Sequence, residues 1–314
     1  MAMFLGVDGG GTKTAFCILD ETGAVRARTE GETCYFLRIG LDEAERRVAK
    51  GVEDACHVAG IAPDELTYAF FGLPAYGEVS SVIDRLNHFP RTILGHDRYE
   101  CGNDTVCGWA GSLGAADGIN IVAGTGSISY GVNEGVGRRC GGWGEIFGDE
   151  GSAYWIGRAA LQAFSRMSDG REPPSPLLER LSAYLALGVE LDIVDVVLNQ
   201  WAGDRTRIAG LARVVDDAAA SGDPQSIRIL DEAARELALL LRATREALDF
   251  DENAVVAVSY SGGVFRSRHV LDAFRRELAA GPHFELRQPL YEPVVGAALY
   301  AARLAGTVLT PRTA

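Results

Sequence analysis

The sequence predicts an α/β fold made of two related lobes, the second of which carries a helical insertion. A glycine-rich hairpin occupies residues 3–20, and residues 119–136 repeat its pattern. Strand-like and helix-like segments follow each hairpin, as expected for α/β proteins. Residues 171–178 are predicted to be a linker-like break and the chain from there to Leu248 almost entirely helix, so the segment at about 171–250 is predicted to be an insertion.

The first hairpin places its glycines between two strands. An apolar strand, residues 4–7, ends at Asp8, and an alternating strand covers residues 15–19. Between them stands the sequence GGGTKT, residues 9–14. Glycine lets a phosphate approach backbone N–H groups, the threonines offer hydroxyl donors and Lys13 offers a cation. Asp8 is a candidate ligand for a hydrated Mg²⁺.

Two other glycine-rich loops fit this stretch poorly. A dinucleotide-binding turn needs a third glycine where Thr14 stands, and a helix rather than a strand after it. A Walker A loop needs Gly-Lys-Ser/Thr, whereas here Lys13 follows Thr12. A plain glycine-rich hairpin without a ligand remains an alternative.

The second hairpin repeats the first in its glycine and hydroxyl residues. A shift of 113 positions pairs them as follows: Gly11 with Gly124, Thr12 with Thr125, and Thr14 with Ser127. The repeat predicts two related lobes, each offering a phosphate loop to one cleft. A third loop, Ser261-Gly262-Gly263, follows an apolar strand over residues 254–258.

The remaining elements of the first lobe are predicted from periodicity and turn residues. They are a strand over 24–30, a helix over 41–60, a strand over 67–73, a helix over 79–86, a short strand over 92–94 and a helix over 104–113. The first lobe is predicted to cover residues 1–116, joined by a C-terminal helix within 294–314.

The second lobe is predicted to cover residues 117–293, with the insertion at about 171–250. After its hairpin come a loop over 141–151 and a helix that Ser152 caps. After the insertion, the strand over 254–258, a helix over 269–278 and a strand over 284–287 complete the lobe.

Composition limits the possible partners. The 314 residues include 30 basic and 43 acidic side chains, a net charge of −13, which argues against nucleic acid and anionic membrane surfaces. None of the six cysteines forms C-x-x-C, and no signal peptide or membrane-spanning run is recognised. We therefore expect reduced thiols and a cytoplasmic protein without a membrane partner.

The three glycine loops together resemble those of the sugar kinase, heat-shock chaperone and actin superfamily, which implies a two-lobed ribonuclease H-like fold. Residues 140–155, CGGWGEIFGDEGSAYW, resemble the N-acetylglucosamine kinase family, which is grouped with activator ATPases of benzoyl-CoA reductase and 2-hydroxyacyl-CoA dehydratase. The resemblance covers nearly the whole chain and is weakest over 171–248.

The resemblance implies ATP and Mg²⁺ as cofactors, with Asp8 at the metal. It assigns the nucleotide to residues in all three loops: Gly10, Gly11, Thr12, Lys13, Thr14, Thr125, Gly126, Gly262 and Gly263. The predicted partners are ATP and a small sugar, and we also expect a homodimer.

Asp104 is the candidate general base. A kinase benefits from a carboxylate that accepts the proton of the attacking hydroxyl, and the family's catalytic Asp opens the corresponding helix. The alternative is a helix cap, either at Asp104 or at Asn103 beside it. Asp97 is the second candidate.

The family also implies the sugar-binding residues. They are Ser127, Gly142, Trp143, Gly144, Asp149 and Tyr35. A carboxylate and an aromatic edge suit a carbohydrate. The alternatives are that Asp149 is simply a carboxylate favoured by a helix N-terminus and that Trp143 belongs to the core.

Two departures from the family concern the sugar. The family usually carries Asn in the loop matching Thr33-Cys34-Tyr35, where this chain has none, and Ile128 follows Ser127 where some members have Asn. The preferred prediction is phosphorylation of the 6-hydroxyl of N-acetylglucosamine. Glucosamine or glucose, and an iron–sulfur activator ATPase using Cys101 and Cys107, remain alternatives.

Overall fold

The computed structural model describes residues 1–281 and 283–312. Its strands are β1 (Met3–Gly9), β2 (Lys13–Asp20), β3 (Val25–Glu32), β4 (Tyr68–Leu73), β5 (Tyr99–Asn103), β6 (Gly118–Ala123), β7 (Ser127–Asn133), β8 (Val136–Gly141), β9 (Val256–Ser261) and β10 (Phe284–Arg287). Its helices are α1 (Phe36–Ile39), α2 (Leu41–Ala59), α3 (Ile83–Leu94), α4 (Thr105–Leu113), α5 (Ala153–Ser168), α6 (Pro176–Tyr184), α7 (Arg205–Ala220), α8 (Pro224–Ala247), α9 (Arg268–Ala279) and α10 (Pro293–Leu304).

The chain forms two compact units that share one sheet topology. Unit 1 contains Met1–Asp117 and Pro289–Ala314, and unit 2 contains Gly118–Gln288. The strand orders are β3-β2-β1-β4-β5 and β10-β9-β6-β7-β8. In each sheet the first strand is central, pairs antiparallel with the next strand on one side, and pairs parallel with a later strand on the other. The predicted α/β fold with two related sheets is thereby confirmed.

The loops that join the first two strands of each sheet differ in length by one residue. The pair Gly9–Thr14 closes the first loop, residues 10–13. The pair Ala123–Ser127 closes the second loop, residues 124–126. Thr14 and Ser127 therefore occupy equivalent positions, as the shift of 113 indicates.

The helical segments predicted within 171–250 are present. Helices α6, α7 and α8 account for most of them, with short helical turns at Glu190–Asp192 and Asp195–Gln200. Their apolar faces join the core of unit 2.

The predicted strand over residues 92–94 is wrong. These residues form the last turn of α3, which ends where Gly95 adopts the left-handed conformation (φ 71°). The strand of this region is β5 instead, and it pairs parallel with β4. The apolar run at the end of α3 resembles a strand because Leu94 is buried, and burial alone does not distinguish a short strand from a helix end.

Glycines let α10 lie directly on β1 and α4. A Cβ on Gly6 of β1 would stand 2.2 Å from the backbone N of Ala298, and one on Gly296 would stand 2.0 Å from the backbone N of Gly111. Tyr300 of α10 then makes edge-to-face ring contacts with Phe70 and Trp109, at centroid distances of 4.9 and 5.5 Å. These contacts attach the C-terminal helix to the sheet of unit 1.

In unit 2, α5 and α7 cross at a glycine. A Cβ on Gly157 of α5 would stand 2.0 Å from the carbonyl oxygen of Ile208, which lies in the first turns of α7. The position of α7 relative to α5 therefore depends on the missing side chain at residue 157.

We predict that Gly157→Ala destabilises the protein by about 1–3 kcal/mol, the usual cost of overpacking. Gly210→Ala in α7 is the matched control, because its Cβ would meet only the Tyr184 hydroxyl at an ordinary 3.6 Å. That change should be neutral or stabilise the helix by up to about 1 kcal/mol, since alanine favours helix. Urea unfolding followed by circular dichroism measures both, and equal stabilities for the two variants would contradict the tight crossing.

Candidate functional site

The parallel strands of unit 1 bring two carboxylates to one edge of the sheet. Asp8 lies opposite Gly72 in the β1–β4 ladder, and Gly72 lies opposite Gly102 in the β4–β5 ladder. Asp104 follows β5 directly, and a Cβ on Gly72 would stand 3.4 Å from its Cα. The carboxyl ends of parallel strands are the usual place for ligand sites in α/β sheets.

Asp8 is largely buried, and burial raises the pKa of its carboxyl to about 6. The Cys107 thiol, which hydrogen bonds to it, and the nearby Lys13 cation oppose that rise. A buried carboxylate with few partners has lone pairs left for a cation. Mg²⁺ is commonly held by one or two carboxylates together with water and phosphate oxygens, so this donor fits the ion.

Asn103, and not Asp104, caps α4. The Asn103 side-chain oxygen accepts hydrogen bonds from the backbone N of Thr105 (3.1 Å) and its hydroxyl (2.7 Å), whereas the Asp104 side chain makes no capping bond to the helix. Asp104 is half-buried, and the second candidate, Asp97, forms an exposed ion pair with Arg91 (3.3 Å). A role as the helix cap therefore does not explain why residue 104 is a carboxylate.

The first loop exposes Thr12 but uses the Thr14 hydroxyl internally. Thr14 Oγ1 donates to the Glu32 carbonyl (3.0 Å) and accepts from the Cys34 backbone N (3.0 Å). Lys13, the predicted phosphate cation, forms an exposed ion pair with Glu30 (2.5 Å).

Residues that follow β3 support the first loop through hydrogen bonds to its carbonyls. The Thr33 hydroxyl donates to the Gly10 carbonyl (2.7 Å), and the Arg38 guanidinium donates to the Gly11 carbonyl (3.3 Å). Tyr35 is half-buried beside them, where its backbone N donates to Thr33 Oγ1 (3.1 Å). Arg38 is a cation at the loop that sequence reasoning missed.

The second loop is fixed in the same way. The Ser127 hydroxyl donates to the Glu150 carbonyl (2.6 Å), which is the counterpart of the Thr14 bond. The backbone N of Ala153 donates to the Gly124 carbonyl (2.9 Å), and that of Tyr154 to the Thr125 carbonyl (3.3 Å). Protein carbonyls thus occupy the N–H groups at the start of α5, while the Thr125 side chain stays exposed.

Each of the three glycine loops contains one glycine that the protein's own packing does not require. Gly11, Gly124 and Gly263 all lack a positive φ, and a Cβ on any of them would meet no atom within 4 Å. Gly262 differs, because it has φ 104° and its Cβ would stand 2.3 Å from the Ala123 carbonyl oxygen. Open space at three loop glycines is what a ligand approaching the backbone closely would need.

Unit 2 contains a pocket of about 550 Å³ that two of these loops line. The size is that of a small-molecule site. Gly124 and Thr125 form one wall and Gly263 and Val264 another. The remaining walls come from α5, α7, α8, α9 and the turn before α9, and they include Ile156, Thr206, Ala209, Arg213, Asp216, Leu230, Arg266 and Ser267. The insertion therefore supplies part of this pocket.

The loop after β8 presents an exposed tryptophan. Gly142 and Gly144 on either side of Trp143 have positive φ (69° and 89°), and Arg139 donates to the carbonyls of Gly141 and Gly142. Trp143 is 70% exposed, so it does not belong to the core.

Asp149 is buried and ion-paired. Its side chain is 4% exposed, its backbone is left-handed (φ 57°) and its Oδ2 lies 2.5 Å from Arg205 Nη2. Its Oδ1 accepts weakly from the Ser127 backbone N (3.4 Å). Sequence reasoning missed Arg205, because 56 residues separate it from Asp149 and no local pattern joins them.

No helix within residues 1–281 and 283–312 is both long and apolar enough to cross a bilayer. Likewise, no three His, Cys, Asp or Glu side chains in those residues group as a metal site.

Similar proteins agree with the family resemblance. A curated N-acetylmuramic acid/N-acetylglucosamine kinase of Clostridium acetobutylicum is 38% identical over 177 residues, 56% of this chain but only 58% of that protein. A curated N-acetyl-D-glucosamine kinase of Dictyostelium discoideum is 29% identical over 95% of this chain and 97% of its own.

A crystal structure from Chromobacterium violaceum, provisionally described as an N-acetylglucosamine kinase, superposes with a TM-score of 0.65 and 26% identity. That match covers 97% of this chain and 99% of the other. The resemblance inferred from residues 140–155 is confirmed. Because the family's sequence pattern matches residues 5–301, the chain belongs to the BadF/BadG/BcrA/BcrD ATPase family.

Proposed function

We propose that this protein is an ATP-dependent kinase that transfers the γ-phosphate to the 6-hydroxyl of an amino sugar, N-acetylglucosamine in the first place. The observation that carries the proposal is the open space at Gly11, Gly124 and Gly263, one glycine in each loop. The two curated relatives named as kinases of N-acetylated amino sugars support the substrate class.

The nucleotide is assigned to all three loops. The adenosine occupies the pocket of unit 2, next to Gly262 and Gly263, where its volume and its mixture of apolar and charged walls suit a nucleoside. Backbone N–H groups at Gly11 and Gly126, with the exposed hydroxyls of Thr12 and Thr125, bind the phosphates. Gly10 closes the first loop, because its N–H donates to the Lys13 carbonyl (2.8 Å). Thr14 supports the first loop, and Lys13 and Arg38 contribute positive charge there.

Asp8 would hold a hydrated Mg²⁺, which neutralises charge on the phosphates when bound. Asp104 accepts the proton of the sugar hydroxyl as that oxygen bonds to the γ-phosphorus and the bond to ADP breaks. Phosphoryl transfer requires little covalent chemistry from the protein, so the remaining work is positioning.

The sugar is assigned to the loop after β8 and its neighbours. Trp143 offers an exposed aromatic face, and the backbone at Gly142 and Gly144 offers polar groups for the acetamide. Asp149 retains lone pairs beyond its bonds to Ser127 and Arg205, and these accept from sugar hydroxyls. Tyr35 replaces the family's asparagine in the loop that supports Gly10.

An iron–sulfur activator is less well supported. Thiolates are the cluster ligands, whereas burial raises the pKa of Cys101 to about 12 and that of Cys107 well above its usual range. Both thiols also lie within hydrogen-bonding distance of backbone carbonyls, those of Leu86 and Val7.

The last part of the proposal concerns the cellular location and the oligomeric state of the protein. We expect a cytoplasmic homodimer. Light scattering during size-exclusion chromatography measures the mass of the assembly.

We predict that Gly11→Val and Gly263→Val separate phosphate binding from adenosine binding. The Cβ of each valine enters space that the fold leaves open, and melting curves check that both variants fold. Losing charge-assisted bonds to the phosphates should weaken ATP binding in Gly11→Val by about 10- to 100-fold while sparing adenosine. Gly263→Val should weaken both ligands.

Calorimetry with ATP and with adenosine measures these affinities. Gly31→Val is the control, because its Cβ would meet only Phe16 at 3.8 Å on β3. Wild-type ATP affinity in Gly11→Val would show that the first loop is not a phosphate loop.

We predict that Asp104→Asn binds ATP and sugar normally but loses two to four orders of magnitude in kcat, roughly the range for a positioned general base. Asp97→Asn is the matched control and should retain wild-type turnover, since Asp97 pairs with Arg91 on the surface. Melting curves of both variants exclude a folding defect. Normal turnover in Asp104→Asn would remove the residue from the mechanism.

We predict a strong preference for N-acetylglucosamine over glucosamine and glucose. A site that hydrogen bonds the acetamide leaves buried polar groups unpaired when that group is missing. Coupled ADP release gives kcat/KM for the three sugars. Equal values would leave the kinase assignment intact and show that the enzyme does not recognise the acetamide.

A further inference from the structure

The ion pair between Asp149 and Arg205 joins the helical insertion to the second phosphate loop. Arg205 is the first residue of α7, whereas Asp149 precedes α5. A Cβ on Gly126 would stand 2.5 Å from Arg205 Nη2 and 2.7 Å from Asp149 Oδ2. The pair therefore lies directly against the loop, in space that exists only because residue 126 is glycine.

A buried carboxylate in this position needs a cation. Burial of an ionised group costs several kcal/mol, roughly, unless the group is paired and hydrogen-bonded. Asp149 has one weak backbone donor, the Ser127 N–H, and Arg205 is its ion-pair partner. Without the guanidinium, neutralisation of the acid would be the favourable response.

The place of Arg205 in its helix gives no other reason for a cation. The N-terminus of a helix carries partial positive charge, so arginine in the first turn is electrostatically unfavourable. Asp204 already caps α7 through a bond from the Arg207 backbone N (2.7 Å). Arg205 Nε is buried and, among the described residues, has no hydrogen-bond acceptor, with Glu145 Oε2 at 3.5 Å as an ion-pair contact.

We propose that Arg205 is a positioning residue that keeps Asp149 ionised and oriented, so that one carboxylate oxygen holds the second phosphate loop and the free lone pairs receive the sugar. The inference rests on the proposed function for the sugar's part. Helix α7 thereby influences sugar affinity through Asp149, although no residue of α7 itself contacts the sugar in the proposed site.

The charges around Asp149 determine how the pKa of its carboxyl responds when Arg205 is replaced. Burial raises the pKa of Asp149, Arg205 lowers it, and Glu145 and Glu150 raise it further. In the absence of Arg205 only the Ser127 N–H opposes burial and the two acids. The carboxyl then becomes protonated at a higher pH, and the ionised form that binds sugar is lost at that higher pH.

The experiment compares Arg205→Met with Arg205→Lys and with Arg207→Met, an exposed residue of the same helical turn. In Arg205→Met the KM for sugar should rise about 10- to 100-fold, the range for losing a bond to a charged group. ATP affinity should fall less, because the second loop keeps its bonds through Ser127 Oγ and the Ala153 N–H. The acid limb of kcat/KM should move up by about 1–3 pH units, as expected when an opposite charge is removed. Arg205→Lys should restore part of both effects, and Arg207→Met should behave as wild type.

A double-mutant cycle identifies Asp149 as the group through which Arg205 acts. In an Asp149→Asn background, Arg205→Met should change neither KM nor the pH profile further. A wild-type KM and acid limb in Arg205→Met would overturn the proposal. So would a variant that merely melts earlier, or one whose effect persists in Asp149→Asn.

A second measurement does not depend on enzymatic activity. Protein labelled with ¹³C at the aspartate carboxyl carbons allows titration of Asp149, whose signal is identified by its loss in Asp149→Asn. The Asp149 pKa should be higher in Arg205→Met than in wild type, and an unchanged pKa would overturn the ion-pair role. If wild type phosphorylates no sugar but this shift is seen, the proposed function fails and the positioning role of Arg205 stands.

Discussion

Two buried hydroxyls hold the loops on which the candidate site depends. Thr14 joins the first hairpin to the Glu32 carbonyl and the Cys34 N–H, and Ser127 joins the second to the Glu150 carbonyl. Both bonds lie at the point where the second strand of each hairpin begins. Each loop has one internal backbone bond, from Gly10 N to the Lys13 carbonyl and from Gly124 N to the Gly126 carbonyl, and these neighbours add the support that fixes its position. The residues that repeat in the sequence therefore include those that support each loop, as well as the candidate ligand-binding residues.

The short-range patterns predicted most of the fold. The hairpins, the third glycine loop and the helical insertion each show a local periodicity or turn residue that sequence reasoning can use. The boundary between α3 and β5 was misplaced because a buried helix end and a short strand both appear as apolar runs. Here Gly95, with its left-handed backbone, was the signal that separates the two.

The candidate site was predictable only in part. Glycine and hydroxyl residues in the loops could be found from composition and spacing, and Asp104 became the candidate base through the family resemblance, since its position at the start of a helix also fits a cap. Arg38 and Arg205 could not, because their relation to the loops exists only after residues distant in sequence come together. Nor could the sequence reveal that Thr14 and Ser127 direct their hydroxyls at backbone carbonyls, since the same residues in solvent-facing rotamers would give the same pattern.

The chemistry of the cysteines has a practical consequence. Burial raises the pKa of Cys17, Cys34 and Cys56 to about 11, and the pKa of Cys140, the least buried of the six, is also raised. At neutral pH these thiols stay protonated, and maleimide reagents react with thiolates. A single cysteine introduced on the surface would then react with a fluorophore faster than the five buried native thiols, and Cys140, which is partly exposed, is the native thiol to replace first.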